Sequence, residues 1–274
     1  KSGVVTFNSA KDYDLRGAKI QADKVVKDGT GTLTLNGSGF TTEDFTVKSG
    51  TLVLGDAAAR NVLGGNTATL TIEAGATLDL NTQVPTSGDT NRGAVLNDHI
   101  VTITGEGVDG KGAITDHSIY TALWQFQLGR VQVKGDATIG GTCRIDLRKA
   151  SNSTFEGRAW LKGGSNDTLR VKNHVEETTN CGLNFNNTDV EIGKIVLEEG
   201  GMMGYEVDTV LNVPGGVEMK AGSRIHYWNA AKTKAAIVVT GEGAGLLFGD
   251  LLRGALGGCS RCCGVGGHCP GLDH

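Results

Sequence analysis

Proline is nearly missing from this chain, with 3 residues in 274, and aromatic residues make up only 5%. So few rings leave little material for a broad aromatic core, and apolar residues reach only 38%, which suits a thin, elongated interior. No apolar run approaches the roughly 20 residues that a membrane helix needs, so no membrane span is expected. Lys and Arg are scattered singly in a chain of formal charge −4. Without a basic stripe to track a phosphate backbone, nucleic acid is not expected as a partner. Lys1 is neither a start methionine nor part of a signal peptide, which reads as a processed product, an excised fragment or a partial reading frame.

What the chain has is glycine, 43 residues, and a short sentence written more than once. Between residues 44 and 80, Phe45, Val47, Leu52 and Leu54 alternate around Lys48-Ser49-Gly50. Leu70, Ile72, Leu78 and Leu80 then alternate around Glu73-Ala74-Gly75-Ala76. Each copy reads as strand, glycine turn, strand. A strand with one apolar face must bury it, and a unit this small buries it only against further copies of itself. The element Gly-Thr-Leu-x-Leu opens at Gly31, returns at Gly50 and, with one Ala inserted, at Gly75; those glycines lie 19 and 25 residues apart. Such returns match solenoids that place one coil in each repeat.

Val4 to Phe7 and Ala18 to Ala22 read as two strands of a first rung, with Asp12, Asp14 and Gly17 as turn formers between them. Residues 81 to 97 read as a loop projecting from the stack, after which Ile100, Ile103 and Ile114 resume around Gly105-Glu106-Gly107. Trp124, Phe126 and Leu128 alternate, as do Val131 and Val133, with Gly129 breaking the run into two strands and a turn. Strand-like beats continue to about residue 171, and residues 172 to 191 are polar enough to suggest another loop or a poorly formed coil. The opening pattern returns at Val217 to Tyr227, and Val239-Thr240-Gly241-Glu242-Gly243 echoes the run from Ile103. Past Gly245, Leu247, Phe248, Leu251, Leu252 and Leu256 fall at helical spacing, which predicts a short amphipathic helix capping the stack. The expected layout is an all-β, single-domain parallel β-helix over residues 1–244, then a short helix and Cys-rich tail over 245–274.

The Gly-Thr-Leu-x-Leu units, Leu70 to Leu80 and Val131 to Gly141 resemble bacterial autotransporter-associated β-strand repeat proteins, over roughly residues 28 to 240. That resemblance implies a β-helical passenger, secreted or displayed on a bacterial cell surface, used for adhesion, matrix formation or glycan contact. The chain departs from it in carrying neither a signal peptide nor a C-terminal translocating barrel, and the Cys-rich end has no counterpart.

β-Helices also host polysaccharide lyases and glycoside hydrolases, which need paired acids and bases along a groove. The residues offering such a pair are Asp116 and His117, with Asp109 nearby, and the cluster Asn97-Asp98-His99. Asp in Gly-rich turns more often shapes the turn. Glycan binding without cleavage asks only for an exposed ring with polar neighbours, and Trp160, Tyr227 and Trp228 are the candidates, against packed core or lone surface rings. Cys259, Cys262, Cys263, His268 and Cys269 could gather Zn²⁺, but their spacing is too tight for two separated ligand pairs. Disulfides, with Cys143 and Cys181 as further partners, or an unpaired tail explain them as well. No metal or other cofactor is expected. The sequence therefore points to a structural or adhesive solenoid segment, with glycan or host-matrix contact and end-to-end self-association as its interactions. A polysaccharide lyase or hydrolase is the alternative, and a rigid spacer the third reading.

Overall fold

The computed structural model describes residues 2–17, 19–36, 39–55, 68–81, 96–117, 128–151, 153–174, 182–206, 208–227, 232–233, 237–239 and 245–248. Among these, strands dominate, every strand pairing is parallel, and the one helical turn is the 3-10 segment Val108–Gly110. The architecture is all-β and β-helix-like: strands in the middle of the stack pair with strands one coil earlier and one coil later.

The strands fall on three faces. Face A holds β1 (Ser2–Asn8), the second half of β3 (Lys19–Asp28), β6 (Asp44–Val47), β8 (Thr69–Ile72), and parts of β10 (Leu96–Gly105) and β12 (Leu128–Ile139). It continues through β14 (Ala159–Lys162), β17 (Thr188–Glu191), β20 (Val210–Asn212) and β23 (Lys232–Thr233). Face B holds β2 (Tyr13–Arg16), β4 (Thr32–Asn36), β7 (Gly50–Leu54), β9 (Ala76–Asp79), β11 (Ile114–Thr115) and the end of β12. It continues through β15 (Thr168–Val171), β18 (Lys194–Leu197), β21 (Val217–Met219) and β24 (Ile237–Val239). Face C begins with the first residues of β3 and β5 (Gly39–Thr41). Further along it includes the starts of β10 and β12, β13 (Ile145–Leu147), β16 (Leu183–Phe185), β19 (Met202–Tyr205), β22 (Arg224–Tyr227) and β25 (Gly245–Phe248).

Alternation along each strand becomes a column across the stack. All eight apolar residues of the two copies between 44 and 80 are buried. Thr32, Thr51 and Thr77 lie in register, as do Leu33, Leu52 and Leu78. Ala76 occupies the register position of Gly50, so the extra residue of the third copy lies in the turn before the strand. On face A the column Val5, Val25, Phe45, Leu70, Val101, Val131, Leu161, Val190 and Leu211 advances by 20, 20, 25, 31, 30, 30, 29 and 21 residues. Coils of unequal length keep one register because the surplus lies between strands. Gly50 shows why a turn glycine is needed: its φ is +67°, and a Cβ there would lie 2.4 Å from the Gly31 carbonyl oxygen.

One core position is occupied by a charge. Lys27 pairs in register with Phe7 and Val47 and is buried, and its Nζ donates to the carbonyls of Gly29 and Ser49, both at 2.8 Å. Burial pushes its pKa below the ordinary lysine value, opposed by Asp28 and Asp12. The amine thus ties two successive turns together at a corner.

Four local expectations change. Between the first two predicted strands lies a third, β2, where Tyr13 and Leu15 continue the leucine columns of face B. Asp12 nevertheless acts as a turn residue, accepting the Thr32 N–H at 2.7 Å. Gly129 is not a break: β12 runs through it, and glycine is required because a Cβ would meet the Asn97 carbonyl oxygen at 2.1 Å and the Phe155 ring at 2.9 Å. Within 172–191, β16 and β17 are regular strands, since their few apolar residues, Leu183, Phe185 and Val190, are the ones that face the core. Finally, Gly245–Phe248 is a strand paired with β22, so Leu247 and Phe248 belong to the ladder rather than a helix. Parallel pairing satisfies that backbone where i, i+4 spacing alone favoured a helix. Residues 249–274 lie outside the described residues, as do Trp124 and Phe126.

Candidate functional site

Face A carries the aromatic candidate. Ala159 and Leu161 point inward and are buried, so Trp160 between them points outward, where it is partly exposed. Its register neighbours are Arg130 on one side and Asp189 on the other, and the row beside it is Gln132, Lys162 and Glu191. Lys162 Nζ lies 5.5 Å from the Trp160 ring centroid, while Arg158 pairs with Asp189 at 2.9 Å. Next to this row, the Phe155 ring receives two cations, the Arg130 guanidinium at 4.9 Å and the Lys149 amine at 4.7 Å. Burial pulls the Arg130 pKa down and Asp98 opposes this. The result is a ring on a β surface, flanked by amide, ammonium and carboxylate groups.

Within the Asn97-Asp98-His99 cluster, Asn97 and Asp98 hold that surface in place. Asn97 accepts the Ala150 N–H at 2.9 Å and donates to the Arg148 carbonyl at 2.7 Å; Asp98 accepts the N–H groups of Thr154 at 2.7 Å and Phe155 at 3.3 Å. These bonds fasten the segment that carries Lys149 and Phe155. His99 is buried.

Asp116 and His117 are not brought together. Asp116 is fully buried and its carbonyl accepts the N–H groups of Thr142 and Cys143, whereas the exposed His117 pairs through Nδ1 with Asp79 at 2.9 Å. Asp109 sits in the 3-10 turn at φ +53°, beside Lys111 at 3.6 Å, as a turn-forming Asp does. Tyr227 ends β22, in register with Tyr205 and Phe248. Trp228, Cys181 and the group Cys259, Cys262, Cys263, His268 and Cys269 lie outside the described residues. Among the described residues, no three His, Cys, Asp or Glu side chains are grouped to hold a metal ion. No helix among them is long and apolar enough to cross a membrane.

Face C carries a cluster that the sequence did not announce. Ile145 and Leu147 point into the core, so Asp146 points out, yet it is 0% exposed. Arg144 bridges it to Glu206, with Nε 2.5 Å from Asp146 Oδ1 and Nη2 2.8 Å from Glu206 Oε1. Asn184, in register with Asp146, donates to the same two carboxylates at 3.1 and 2.8 Å, and Asn186 donates to the second oxygen of Glu206. Burial lowers the Arg148 pKa while Asp146 and Glu206 counter it. One rung beyond Gly204 in the same register column, His226 is pushed down to about 4, first by burial and then by Arg224 and Arg144. Both carboxylates are engaged by a guanidinium and by amides, an arrangement that rigidifies a face rather than one that moves protons. The only hint in the sequence is a polar residue flanked by apolar ones in Ile145-Asp146-Leu147 and Leu183-Asn184-Phe185.

No family model, curated protein or solved structure matches the chain.

Proposed function

We propose that the protein is a single-domain, secreted or surface-displayed β-solenoid whose role is structural and adhesive, with face A contacting glycans around Trp160. The observation that carries this is the outward, partly exposed Trp160 ring set between Gln132, Lys162, Asp189 and Glu191 on a continuous parallel ladder. Rungs of such a ladder repeat about every 4.8 Å, close to the length of one pyranose ring, so a glycan lying along the stack meets a fresh row of side chains at nearly every sugar. The ring supplies an apolar platform and the flanking groups hydrogen-bond hydroxyls. The repeat pattern resembling autotransporter-associated strands supports the extracellular setting. The separation of Asp116 from His117 and the saturation of Asp146 and Glu206 favour binding over cleavage.

The test is retention on a glycan panel, with product analysis in the same incubation. Retention without new reducing ends or unsaturated products is expected, together with a loss of about tenfold in affinity, ~1.4 kcal/mol, for Trp160→Ala. Products would replace adhesion by catalysis. Absence of retention would leave a rigid spacer, and retention unchanged in Trp160→Ala would remove this ring as the platform.

A further inference from the structure

The charges around Trp160 decide which glycans fit face A, a question that rests on the glycan contact proposed above. The cations beside the ring are largely held by the protein itself. Arg158 pairs with Asp189 at 2.9 Å and donates to the Asp208 carbonyl. Arg130 lies over the Phe155 ring and donates to the Asp98 carbonyl, while Lys149 donates to the carbonyls of Phe155 and Gly157. Lys162 is the exposed one of the four, and its amine leans over the Trp160 ring, 5.5 Å from the centroid. One cation is therefore left to meet a ligand, and it sits one ladder step from Glu191.

The acceptors are in the opposite state. Gln132 directs its side-chain N–H groups to the carbonyls of Val133 at 3.0 Å and Lys162 at 3.1 Å, which leaves its side-chain oxygen to accept. Val190 and Ile192 point inward and are buried, so Glu191 points outward, where it is exposed. Its column neighbours are Lys162 and Asn212, and among the described residues no cation closes on its carboxylate. The rungs to either side add no charge to these two columns. Thr71 and Thr102 lead up to Gln132, Ile100 precedes Arg130, and Val210 follows Asp189. We infer that face A takes uncharged glycans, with sugar hydroxyls donating to Glu191 and Gln132 while the face of a sugar packs on Trp160. A chain of uronates or sulfated sugars would instead carry its anions past Asp189 and Glu191.

A like charge held about one ladder step away at a protein surface weakens binding by about tenfold, and salt screens that effect. The experiment pairs each neutral polysaccharide of a panel with its carboxymethylated form and measures affinity for the full chain by calorimetry at about 20 and about 500 mM NaCl. A neutral member should bind with an affinity that changes less than about twofold between the two conditions. Its carboxymethylated form should bind about tenfold more weakly at low salt, with the gap narrowing at high salt. Glu191→Lys, a change at an exposed position, should weaken the neutral ligand and close or reverse the gap. A carboxymethylated form that binds more tightly than its neutral parent, loses that advantage in salt and depends on Trp160 overturns the charge selection while keeping the glycan surface. So does a folded Glu191→Lys variant with the parent's preference. Binding of neither form removes the glycan surface and the inference together. The comparison on the parent protein decides the matter even if the variant does not fold.

Discussion

Replacing Arg144 by Met tests whether the face C cluster is a stabilising element of this solenoid. The guanidinium is 4% exposed and bridges Asp146, at 0%, to Glu206, at 10%. Methionine fills much of the volume but leaves two carboxylates side by side in a site with little water. Removing one partner of a buried ion pair costs about 3–5 kcal/mol. Asn184 still donates to both carboxylates and Asn186 to Glu206, which places the expected loss near the low end, about 3 kcal/mol. Urea unfolding reads this as a lower midpoint. Because stacked coils can open one at a time, hydrogen exchange in β13, β16 and β19 should show the loss concentrated there. Arg144→Lys, which keeps the charge but not the planar fork, should recover only part. Adding Asp146→Asn and Glu206→Gln to Arg144→Met should recover most of it by removing the uncompensated charge. A loss under about 1 kcal/mol for Arg144→Met, the size of an exposed pair, would refute the reasoning.

Two further perturbations follow from the same geometry. His226 has a folded pKa of about 4 against an ordinary 6.5, so the unfolded chain binds more protons between those values. Its contribution is complete above about pH 6.5 and is lost as pH falls toward 4, by about 2 kcal/mol once residual solvent contact is allowed for. Subtracting the pH–stability curve of His226→Gln from that of the parent isolates this window, and a flat difference would contradict it. Gly50→Ala and Gly75→Ala separate clash from conformation, since both glycines have positive φ, at +67° and +84°, but only a Cβ at Gly50 strikes backbone. Thermal or urea unfolding should show about 1 kcal/mol lost at Gly75 and about 2–4 kcal/mol at Gly50. Equal losses would mean the close approach at Gly50 relaxes freely.

The order of the strands on faces A and B was largely legible. Period-two alternation is a local property, so Phe45, Val47, Leu52, Leu54, Leu70, Ile72, Leu78 and Leu80 announced their inward direction without any knowledge of their neighbours. The Gly-Thr-Leu-x-Leu returns also carried register, because the same turn chemistry starts each strand at the same point, and Leu33, Leu52 and Leu78 stack as the spacing implied. Where the apolar residues thinned, local pattern failed: Leu183, Phe185 and Val190 belong to good strands because rungs on either side supply the hydrogen bonds.

Trp160 was legible as a candidate ring, but the sequence left open whether it packs in the core; the buried Ala159 and Leu161 on either side turn it outward, and its company too comes only from the fold. Gln132 and Glu191 become its neighbours only when coils of about 30 residues stack, and no local rule sets those lengths. The face C cluster lay further from view, since Arg144 and Glu206 are 62 residues apart in sequence. The sequence by itself determined that this chain makes repeated strands with one buried side, because a residue's side of a strand depends only on its place in the alternation. Only the tertiary structure decided which outward residues share a rung, that Lys27 fills a core column, and that Asp146 lies buried on an outer face. Each of these depends on how much chain lies between strands, a length that alternation leaves open.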